Sequence, residues 1–247
     1  MEIPSTLRGL RRPWRQFVRT ITDFLLPEVC PACGGPHSGL CQACDQNLVR
    51  RRLPACPRCG EPLLEPGAGC AADHRDLRQL THLVAPWRFA GTGGALVRRF
   101  KLDGDAGAGR FMVRAMVAAF RAQVAGRWRR AVVVPVPLHA TRRAERGFDQ
   151  AAWLANAIGQ RLGFGGGVGV LVRVRPTLPQ GDPRVTSRSG NVDGAFSLAR
   201  RGMPAVTGRR VVLVDDVFTS GATARACAEL LRSAGATEVA VLTACRS

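Results

Sequence analysis

Tyrosine is absent from the 247 residues, and Lys101 is the only lysine among the 36 basic side chains. Arginine-rich chains that lack both residues are typical of GC-rich genomes, so we attribute part of the net charge of +18 to codon usage. Acidic residues number only 18, which leaves a strong positive excess. That excess indicates acidic partners, such as nucleic acid or phosphates.

No uncharged apolar run reaches about 18 residues, so the sequence predicts no transmembrane span. The amino-terminal residues contain no apolar stretch followed by a small-residue cleavage site, which predicts no signal peptide and a cytoplasmic location. Hydrophobic residues nevertheless make up 46% of the chain, enough to bury a sizeable core and to exclude a disordered tail protein. The length fits one full domain and a smaller module.

Seven of the nine cysteines lie between Cys30 and Cys70, and they include three CxxC pairs. In a cytosolic chain this pattern favours metal binding over disulfides. Redox-active CxxC pairs are the alternative, but no βαβ pattern surrounds these cysteines. Two CxxC knuckles can bring four thiolates to one tetrahedral zinc ion. One complete ligand set is predicted at Cys30, Cys33, Cys41 and Cys44.

A second set of cysteines contains three thiols, Cys56, Cys59 and Cys70. The fourth ligand could be His74 or Asp73, or the site could be degenerate, and the sequence leaves these alternatives open. The last two cysteines, Cys227 and Cys245, fall in apolar segments and are expected to be buried as small apolar residues.

Three regions are predicted along the chain. Apolar residues recur at helical spacing with arginines between them in the first region, residues 1–27, which predicts an amphipathic helix. That helix would pack on protein or lie on a membrane surface, and the first alternative is favoured. Residues 28–78 form a zinc-ribbon module whose small core needs the metal to fold. Residues 80–247 form the main domain.

The main domain alternates apolar strand patterns with amphipathic helix patterns, which predicts an α/β fold with a mostly parallel sheet flanked by helices. A polar stretch rich in proline, glycine, serine and arginine predicts a mobile loop over residues 176–194. Strands are predicted over 83–89, 131–137, 168–174, 210–217 and 238–244. Helices are predicted over 93–102, 111–124, 148–162 and 222–234.

The most informative stretch covers residues 211–223, where four apolar residues end in the carboxylates Asp215 and Asp216. A turn of small residues and a helix follow, so free backbone N–H groups and the positive end of the helix dipole can hold an anion. Carboxylates repel phosphate but accept hydrogen bonds from vicinal hydroxyls, and a diol beside a phosphate indicates a ribose 5-phosphate. The candidate residues are Asp215, Asp216, Thr219, Ser220, Gly221, Ala222 and Thr223.

Other phosphate-binding motifs fit this sequence badly. A P-loop requires a Gly-Lys pair, and the chain has none. The glycines at 163–169 follow a predicted helix instead of opening one, which is wrong for a dinucleotide fingerprint. A receiver domain also carries paired acids at a strand end, but early in its fold and without this loop.

Residues 211–223 resemble the 5-phosphoribosyl 1-pyrophosphate (PRPP) loop of type I phosphoribosyltransferases. Together with the cysteines, further segments resemble one branch of these proteins, the ComF competence-protein family, which has an N-terminal double zinc ribbon. The resemblance spans about residues 28–245 in the expected order. The further segments are residues 100–105, 134–139, 146–150, 177–180, 188–191 and 195–196.

The resemblance implies a type I phosphoribosyltransferase-like fold that binds PRPP with Mg²⁺ beside structural zinc. It also implies that the loop over 177–194 closes over the substrate. The family usually has Asn where this chain has Asp149. No catalytic acid and base pair stands out, and phosphoribosyl transfer does not demand one. The resemblance implies pyrophosphate contacts for Val136 and Pro137. Further pyrophosphate or loop candidates are Lys101, Arg146 and Arg188; Lys101 could instead cap a helix end, and Arg146 could belong to a solvated basic helix start.

Three functions remain open from the sequence. The first is a PRPP-dependent transferase with an unidentified acceptor, in a family associated with DNA uptake during natural transformation. The second is a non-specific single-stranded DNA-binding protein, which would suit the positive charge and would act with competence machinery. The third is a PRPP-responsive regulator that has lost turnover. The sequence predicts neither the oligomeric state nor the acceptor.

Overall fold

The computed structural model describes residues 29–72, 74–139, 141, 144, 147–175, 192, 194–200 and 202–247. The helix predicted over residues 1–27 and most of the loop predicted over 176–194 lie outside these residues. Three candidate site residues also lie outside them, namely Asp73, Arg146 and Arg188.

The described residues contain eleven strands and six α-helices. The strands are β1 (Leu48–Arg50), β2 (His82–Val84), β3 (Trp87–Ala90), β4 (Val132–Pro135), β5 (Gly165–Gly166), β6 (Leu171–Arg173), β7 (Phe196–Leu198), β8 (Arg210–Val214), β9 (Val217–Phe218), β10 (Glu238–Leu242) and β11 (Cys245–Arg246). The helices are α1 (Gln42–Gln46), α2 (Gly91–Leu102), α3 (Ala106–Gln123), α4 (Gln150–Leu162), α5 (Met203–Val206) and α6 (Ala222–Ser233).

A five-stranded parallel sheet forms the centre of the fold, in the order β2-β10-β8-β4-β5. Its central strands are almost wholly apolar, because helices cover both faces and leave no face to water. In β8, for example, Val211 and Leu213 face one hydrophobic core while Val212 and Val214 face the other. The predicted α/β class with a parallel sheet is therefore what the structure has.

Each face of the sheet has its own core, and each core includes part of the cysteine-rich module. Helices α2, α3 and α4 cover one face, where Cys30, Ala32 and Leu48 join the same core. Helix α6 covers the other face, where Cys56 and Cys59 join the core. The cysteine-rich module thus packs against the α/β domain on both sides of the sheet.

A second sheet, in the order β1-β3-β11-β9, connects the cysteine-rich module to the main domain. Strand β1 pairs antiparallel with β3, whereas β11 pairs parallel with both β3 and β9. The Thr92 hydroxyl at the start of α2 donates a hydrogen bond of 2.7 Å to the Cys44 carbonyl. These contacts fix α2 against the first cysteine set.

Two strands predicted as continuous are each divided between the two sheets. The strand predicted over 83–89 becomes β2 and β3, which are separated at Pro86, a residue without an N–H for a sheet. The strand predicted over 210–217 becomes β8 and β9, with Asp215 and Asp216 between them. In both places the chain leaves the central sheet and enters the second one.

The strand predicted over 168–174 forms over a shorter range, Leu171–Arg173. Residues of this segment form β6, which pairs antiparallel with β7 outside the central sheet. The edge position beside β4 is taken by β5, Gly165–Gly166. Two glycines carry no apolar pattern, so the sequence gives no signal for this edge strand.

Candidate functional site

The first cluster consists of Cys30, Cys33, Cys41 and Cys44, whose sulfur atoms all lie within 4.8 Å of one another. Cys33 Sγ and Cys41 Sγ are 3.8 Å apart. A tetrahedral zinc ion with sulfur ligands at about 2.3 Å requires sulfur pairs about 3.8 Å apart. The geometry of this cluster therefore fits zinc.

The backbone of the first cluster favours a thiolate at Cys30. Burial raises the pKa of the Cys30 thiol, but hydrogen bonds from the backbone N–H groups of Cys41, Cys33 and Ala32 outweigh it and bring the pKa to about 6. Burial and the neighbouring sulfur atoms raise the pKa of Cys44 to about 12. Four thiolates this close repel one another unless a cation lies between them, which is the charge that zinc supplies.

The second cluster consists of Cys56, Cys59, Cys70 and His74, whose ligand atoms also lie within 4.8 Å of one another. His74 Nε2 lies 3.4 Å from Cys56 Sγ and 3.3 Å from Cys59 Sγ, and Cys59 Sγ lies 3.6 Å from Cys70 Sγ. Tetrahedral zinc requires about 3.6 Å between a nitrogen and a sulfur ligand. Of the fourth ligands that the sequence left open, the structure brings His74 to the three thiols.

A crevice of about 400 Å³ opens at the carboxyl ends of the central strands. This is where ligands bind in open α/β sheets. Five of the seven residues predicted to bind PRPP line it, and so do three of the five pyrophosphate candidates. They are Asp215, Asp216, Thr219, Gly221 and Thr223 of the first group, and Lys101, Val136 and Pro137 of the second. Ser220 and Ala222 belong to the same loop but are not among the lining residues.

The acidic pair, Asp215 and Asp216, is held between β8 and β9. Burial and the nearby carboxylate of Asp216 raise the pKa of Asp215 to about 7. Asp216 is almost buried, and its Oδ2 lies 2.9 Å from Lys101 Nζ. Lys101 lies in the last turn of α2, and its ammonium group neutralises one carboxylate of the pair. Asp215 Oδ1 accepts a hydrogen bond of 2.8 Å from Asp216 N, so the two carboxylates lie side by side with different partners.

The phosphate loop, residues 219–223, leads into α6 through Gly221. Gly221 has a φ of +82°, which glycine adopts without strain. Gly221 has no side chain to cap the amino end of α6, no acidic residue lies in the first turn, and Ala222 N makes only a long hydrogen bond of 3.5 Å to Ser220 Oγ. The first helix hydrogen bond runs from Arg225 N to the Gly221 carbonyl at 2.8 Å. The N–H groups before Arg225 have no partner within the helix, which is the condition for anion binding at a helix amino end.

Several residues that line the crevice were missed by the sequence analysis. Arg173 on β6 lies in the crevice, and its guanidinium stacks over the Phe196 ring at 5.3 Å. Phe89 and Arg98 line the crevice from the second sheet and α2. None of them stands in a local motif, so only the fold could reveal them. Asp149 also lines the crevice, and its carboxylate accepts a hydrogen bond of 3.0 Å from Ala152 N at the start of α4.

Asp215→Asn is expected to stabilise the unliganded protein more at pH 8 than at pH 5. The pKa of Asp215 is raised from 3.8 to about 7, so the folded protein holds a proton that the unfolded chain releases between these values. The stability contributed by this group is complete below about pH 4 and is lost as pH rises through about 7. Asparagine carries no charge at any pH and avoids that loss.

Denaturant unfolding of wild type and variant at both pH values measures this difference. Both proteins keep the same zinc ligands, so the pH dependence of metal binding cancels. Asp103→Asn serves as the control because Asp103 is exposed. A stabilisation by Asp215→Asn that is equal at pH 5 and pH 8 would contradict the raised pKa.

Two protein-family models match this chain, one in the cysteine-rich module and one in the main domain. Residues 21–73 match the double zinc ribbon domain, and residues 149–247 match the phosphoribosyl transferase domain. Within the part of the chain that the structure describes, no helix has the length and apolar character to cross a bilayer. The adenine phosphoribosyltransferase of Thermoanaerobacter pseudethanolicus aligns with 57% of this chain and 68% of its own at 19% identity and a TM-score of 0.35, too weak a similarity to bear on function.

Relatives align with this chain over most of their own length. The DNA utilization protein YhgH of Salmonella typhimurium is 30% identical over 90% of this chain and 98% of its own. Competence protein F of Haemophilus influenzae is 28% identical over 86% and 94% of the two chains. Competence protein ComFC of Streptococcus pneumoniae is 26% identical over 90% and 91%. With its zinc-ribbon module and its type I phosphoribosyltransferase-like domain, the chain belongs to the ComF competence-protein family.

Proposed function

We propose that this protein binds PRPP with Mg²⁺ in the crevice and acts as a phosphoribosyltransferase in DNA uptake. The observation that carries the proposal is the juxtaposition, in one crevice, of an acidic pair and an uncapped helix amino end. Carboxylates accept hydrogen bonds from the ribose hydroxyls, and the amino end of a helix binds the negatively charged 5-phosphate. Relatives named for competence and DNA utilization support the setting.

The roles of the individual residues follow from their chemistry. Asp215 and Asp216 accept hydrogen bonds from the two ribose hydroxyls, while Lys101 keeps the charge of Asp216 balanced. The phosphate loop donates backbone N–H groups and the hydroxyls of Thr219 and Thr223 to the 5-phosphate. Gly221 lets the backbone approach the phosphate closely.

The pyrophosphate group is assigned to the side of the crevice formed by Val136 and Pro137, just beyond β4. Arg146 and Arg188 are proposed to complete its binding, although they lie outside the described residues. Mg²⁺ would bind the pyrophosphate oxygens and make the group a better leaving group. A guanidinium adds bidentate hydrogen bonds to the same oxygens.

Turnover requires an acceptor whose nucleophile displaces pyrophosphate from the ribose. Titration calorimetry with PRPP and Mg²⁺ tests binding, and a screen for pyrophosphate release against nucleobases and amines tests turnover. Binding together with release establishes a transferase. Binding without release for every acceptor class would replace the transferase by a PRPP-responsive regulator.

We also propose one structural zinc ion in each cluster, with the four residues of each cluster as ligands. The convergence of donor atoms supports this assignment. The boundaries of the three regions, residues 1–27, 28–78 and 80–247, remain proposals. The core contacts of Cys30, Ala32 and Leu48 favour a module that is docked on the main domain rather than loosely tethered to it.

A second function, single-stranded DNA binding, is favoured by a group of arginines at the amino ends of the central strands, at the end of the sheet away from the crevice. We call this group the basic edge. Arg127, Arg129 and Arg130 precede β4 and are exposed, and Arg209 precedes β8 beside them. Arg209 donates to the Arg130 carbonyl at 2.9 Å, which fixes this guanidinium at the edge. Such a row of guanidinium groups suits a phosphate backbone without sequence preference.

The triple substitution Arg127→Gln, Arg129→Gln and Arg130→Gln is expected to weaken single-stranded DNA binding several-fold. Each phosphate contact that is lost reduces the slope of log affinity against log salt by about 0.7. Fluorescence anisotropy with a labelled oligonucleotide at two salt concentrations measures both effects. Tight binding that is insensitive to salt would contradict the electrostatic account.

A matched control removes the same charge from another exposed surface, with Arg52→Gln, Arg58→Gln and Arg78→Gln. If the control variant weakens DNA binding as much as the triple variant, DNA binding depends on net charge and not on the basic edge. Asp215→Asn should leave DNA binding unchanged, because Asp215 lies at the other end of the sheet.

A further inference from the structure

The second cluster reaches the phosphate loop through Leu77. His74 begins a single 3-10 turn, Arg75–Leu77, and its carbonyl accepts a hydrogen bond of 2.9 Å from Leu77 N. The Leu77 side chain is buried against Gly221, where a Cβ atom would lie only 2.9 Å from Leu77 Cδ2. A single helical turn therefore connects His74, a candidate zinc ligand, to the side chain that packs on Gly221, the residue just before α6.

The other neighbour of Gly221 is also tied to the second cluster. The Phe218 ring is equally close, with its Cζ 2.8 Å from the same Cβ position. Phe218 is paired with Arg246 of β11, and its carbonyl accepts a hydrogen bond of 2.9 Å from Ser247 N. Arg246 Nε in turn donates to the Cys59 carbonyl at 3.2 Å, and Arg246 Nη2 pairs with Glu61 Oε1 at 2.7 Å.

Gly221 is thus enclosed by two buried side chains, and each of them is connected to the second cluster by a short chain of contacts. One connection runs through His74 and Leu77, and the other through Cys59, Arg246 and Phe218. A displacement of Leu77 or Phe218 would therefore move Gly221, because a packed protein interior contains little free volume to absorb it. The first cluster contacts α2 on the other face of the sheet instead.

We infer that the second cluster, with its metal ion bound, positions the phosphate loop, and that Leu77 and Arg246 are the positioning residues. The inference rests on the proposed function for its biological meaning. Zinc holds His74 and the Cys56–Cys59 knuckle in place, and this fixes Gly221 in the conformation that opens the helix end to a phosphate. Metal binding and phosphate binding then favour each other by the same factor, as linkage requires.

Amide hydrogen exchange tests the positioning without any ligand. In Leu77→Ala loaded with zinc, the Arg225 amide, which bonds to the Gly221 carbonyl, is expected to exchange about tenfold faster than in wild type. The Val124 amide, which bonds to the Phe120 carbonyl at the carboxyl end of α3 on the other face, exchanges through opening of that helix end and is expected to change much less. Leu64→Ala is the matched control because Leu64 is fully exposed on the same module.

Arg246→Gln tests the second connection in the same way, with the Ser247 amide as reporter and Arg52→Gln as the exposed control. Zinc content measured by mass spectrometry verifies that these four variants keep the metal content of wild type. Unchanged exchange at Arg225 in Leu77→Ala, or an equal increase at Val124, would overturn the inference.

Ribose 5-phosphate tests the link to the loop's ligand. Its dissociation constant is expected to rise about tenfold in Leu77→Ala and in Cys70→Ser, which removes a ligand of the second cluster, but not in Leu64→Ala. If wild type does not bind ribose 5-phosphate, the proposed function fails while the exchange experiment still decides the positioning. If wild type binds it and all variants bind equally well, the positioning role is wrong and the proposed function stands.

Discussion

PRPP with Mg²⁺ is expected to raise the melting temperature of the protein by roughly 5–10 °C, and Asp215→Asn combined with Asp216→Asn is expected to abolish that rise. A ligand that binds only the folded state contributes about 2.7 kcal/mol at a hundred times its dissociation constant. In a protein of this size, 1 kcal/mol corresponds to about 2–4 °C. The asparagines keep the size of the side chains but lose the charge that strengthens hydrogen bonds from the ribose hydroxyls.

The unliganded variant is itself expected to differ from wild type. Removing two adjacent carboxylates relieves their mutual repulsion and the free-energy cost of burying the charge of Asp215. It also leaves Lys101 without the carboxylate that lies 2.9 Å away. The ligand-induced shift is therefore the quantity to compare, not the melting temperature itself. Asp76→Asn with Asp103→Asn is the matched control, since it removes two exposed carboxylates outside the crevice.

Two further measurements separate the parts of the ligand. Ribose 5-phosphate should give a smaller shift than PRPP, because it lacks the pyrophosphate and the associated metal. Thr223→Ala should weaken both ligands, since the phosphate loop serves the 5-phosphate that they share. If PRPP at millimolar concentration with Mg²⁺ gives no shift, the crevice is not a PRPP site, and single-stranded DNA binding becomes the leading function.

The parts of the site that the sequence predicted are those that a short stretch of chain builds by itself. An apolar strand, two acids, small residues and a helix follow one another within residues 211–223, so their arrangement at a strand end is local. The CxxC pairs are local in the same sense. These are the segments where the structure brings the predicted residues together in one crevice and two clusters.

The parts that could not be predicted depend on residues far apart in the sequence. Arg246 and Cys59 are 187 positions apart, and nothing near either residue indicates their hydrogen bond. Arg173 lies on β6, which pairs with β7 outside the central sheet, and no local pattern predicted that pairing or the position of Arg173 in the crevice. The split of one predicted strand at Pro86 likewise depends on a second sheet whose strands come from both ends of the described chain.

Cys33→Ser is expected to lower the zinc content from two ions to one and to unfold the first cluster while the α/β domain remains folded. A structural zinc ion contributes on the order of 10 kcal/mol or more to the folding of such a module, and loss of one thiolate removes much of that contribution. Cys33 is exposed, so the serine itself creates no cavity in the core. The expected effect therefore comes from the metal.

The α/β domain should nevertheless lose some stability, because the first cluster belongs to its core. Leu48 and Ala32 are buried there and would return to water with the unfolded segment. Their burial contributes about 2–4 kcal/mol, which corresponds to a decrease of roughly 5–15 °C in the melting temperature of the domain. The remaining core of that face, built from α2, α3 and α4, should keep the unfolding cooperative.

Mass spectrometry under native conditions gives the zinc stoichiometry of Cys33→Ser, and calorimetry gives the melting temperature of the same sample. Ser38→Ala is the control, since Ser38 is exposed between the two knuckles and is not a candidate ligand. Cys44→Ser should reproduce the result for Cys33→Ser if both residues bind the same ion. Two zinc ions in Cys33→Ser would show that Cys33 is not needed to hold the metal, and loss of both ions would show that the two clusters fold as one unit.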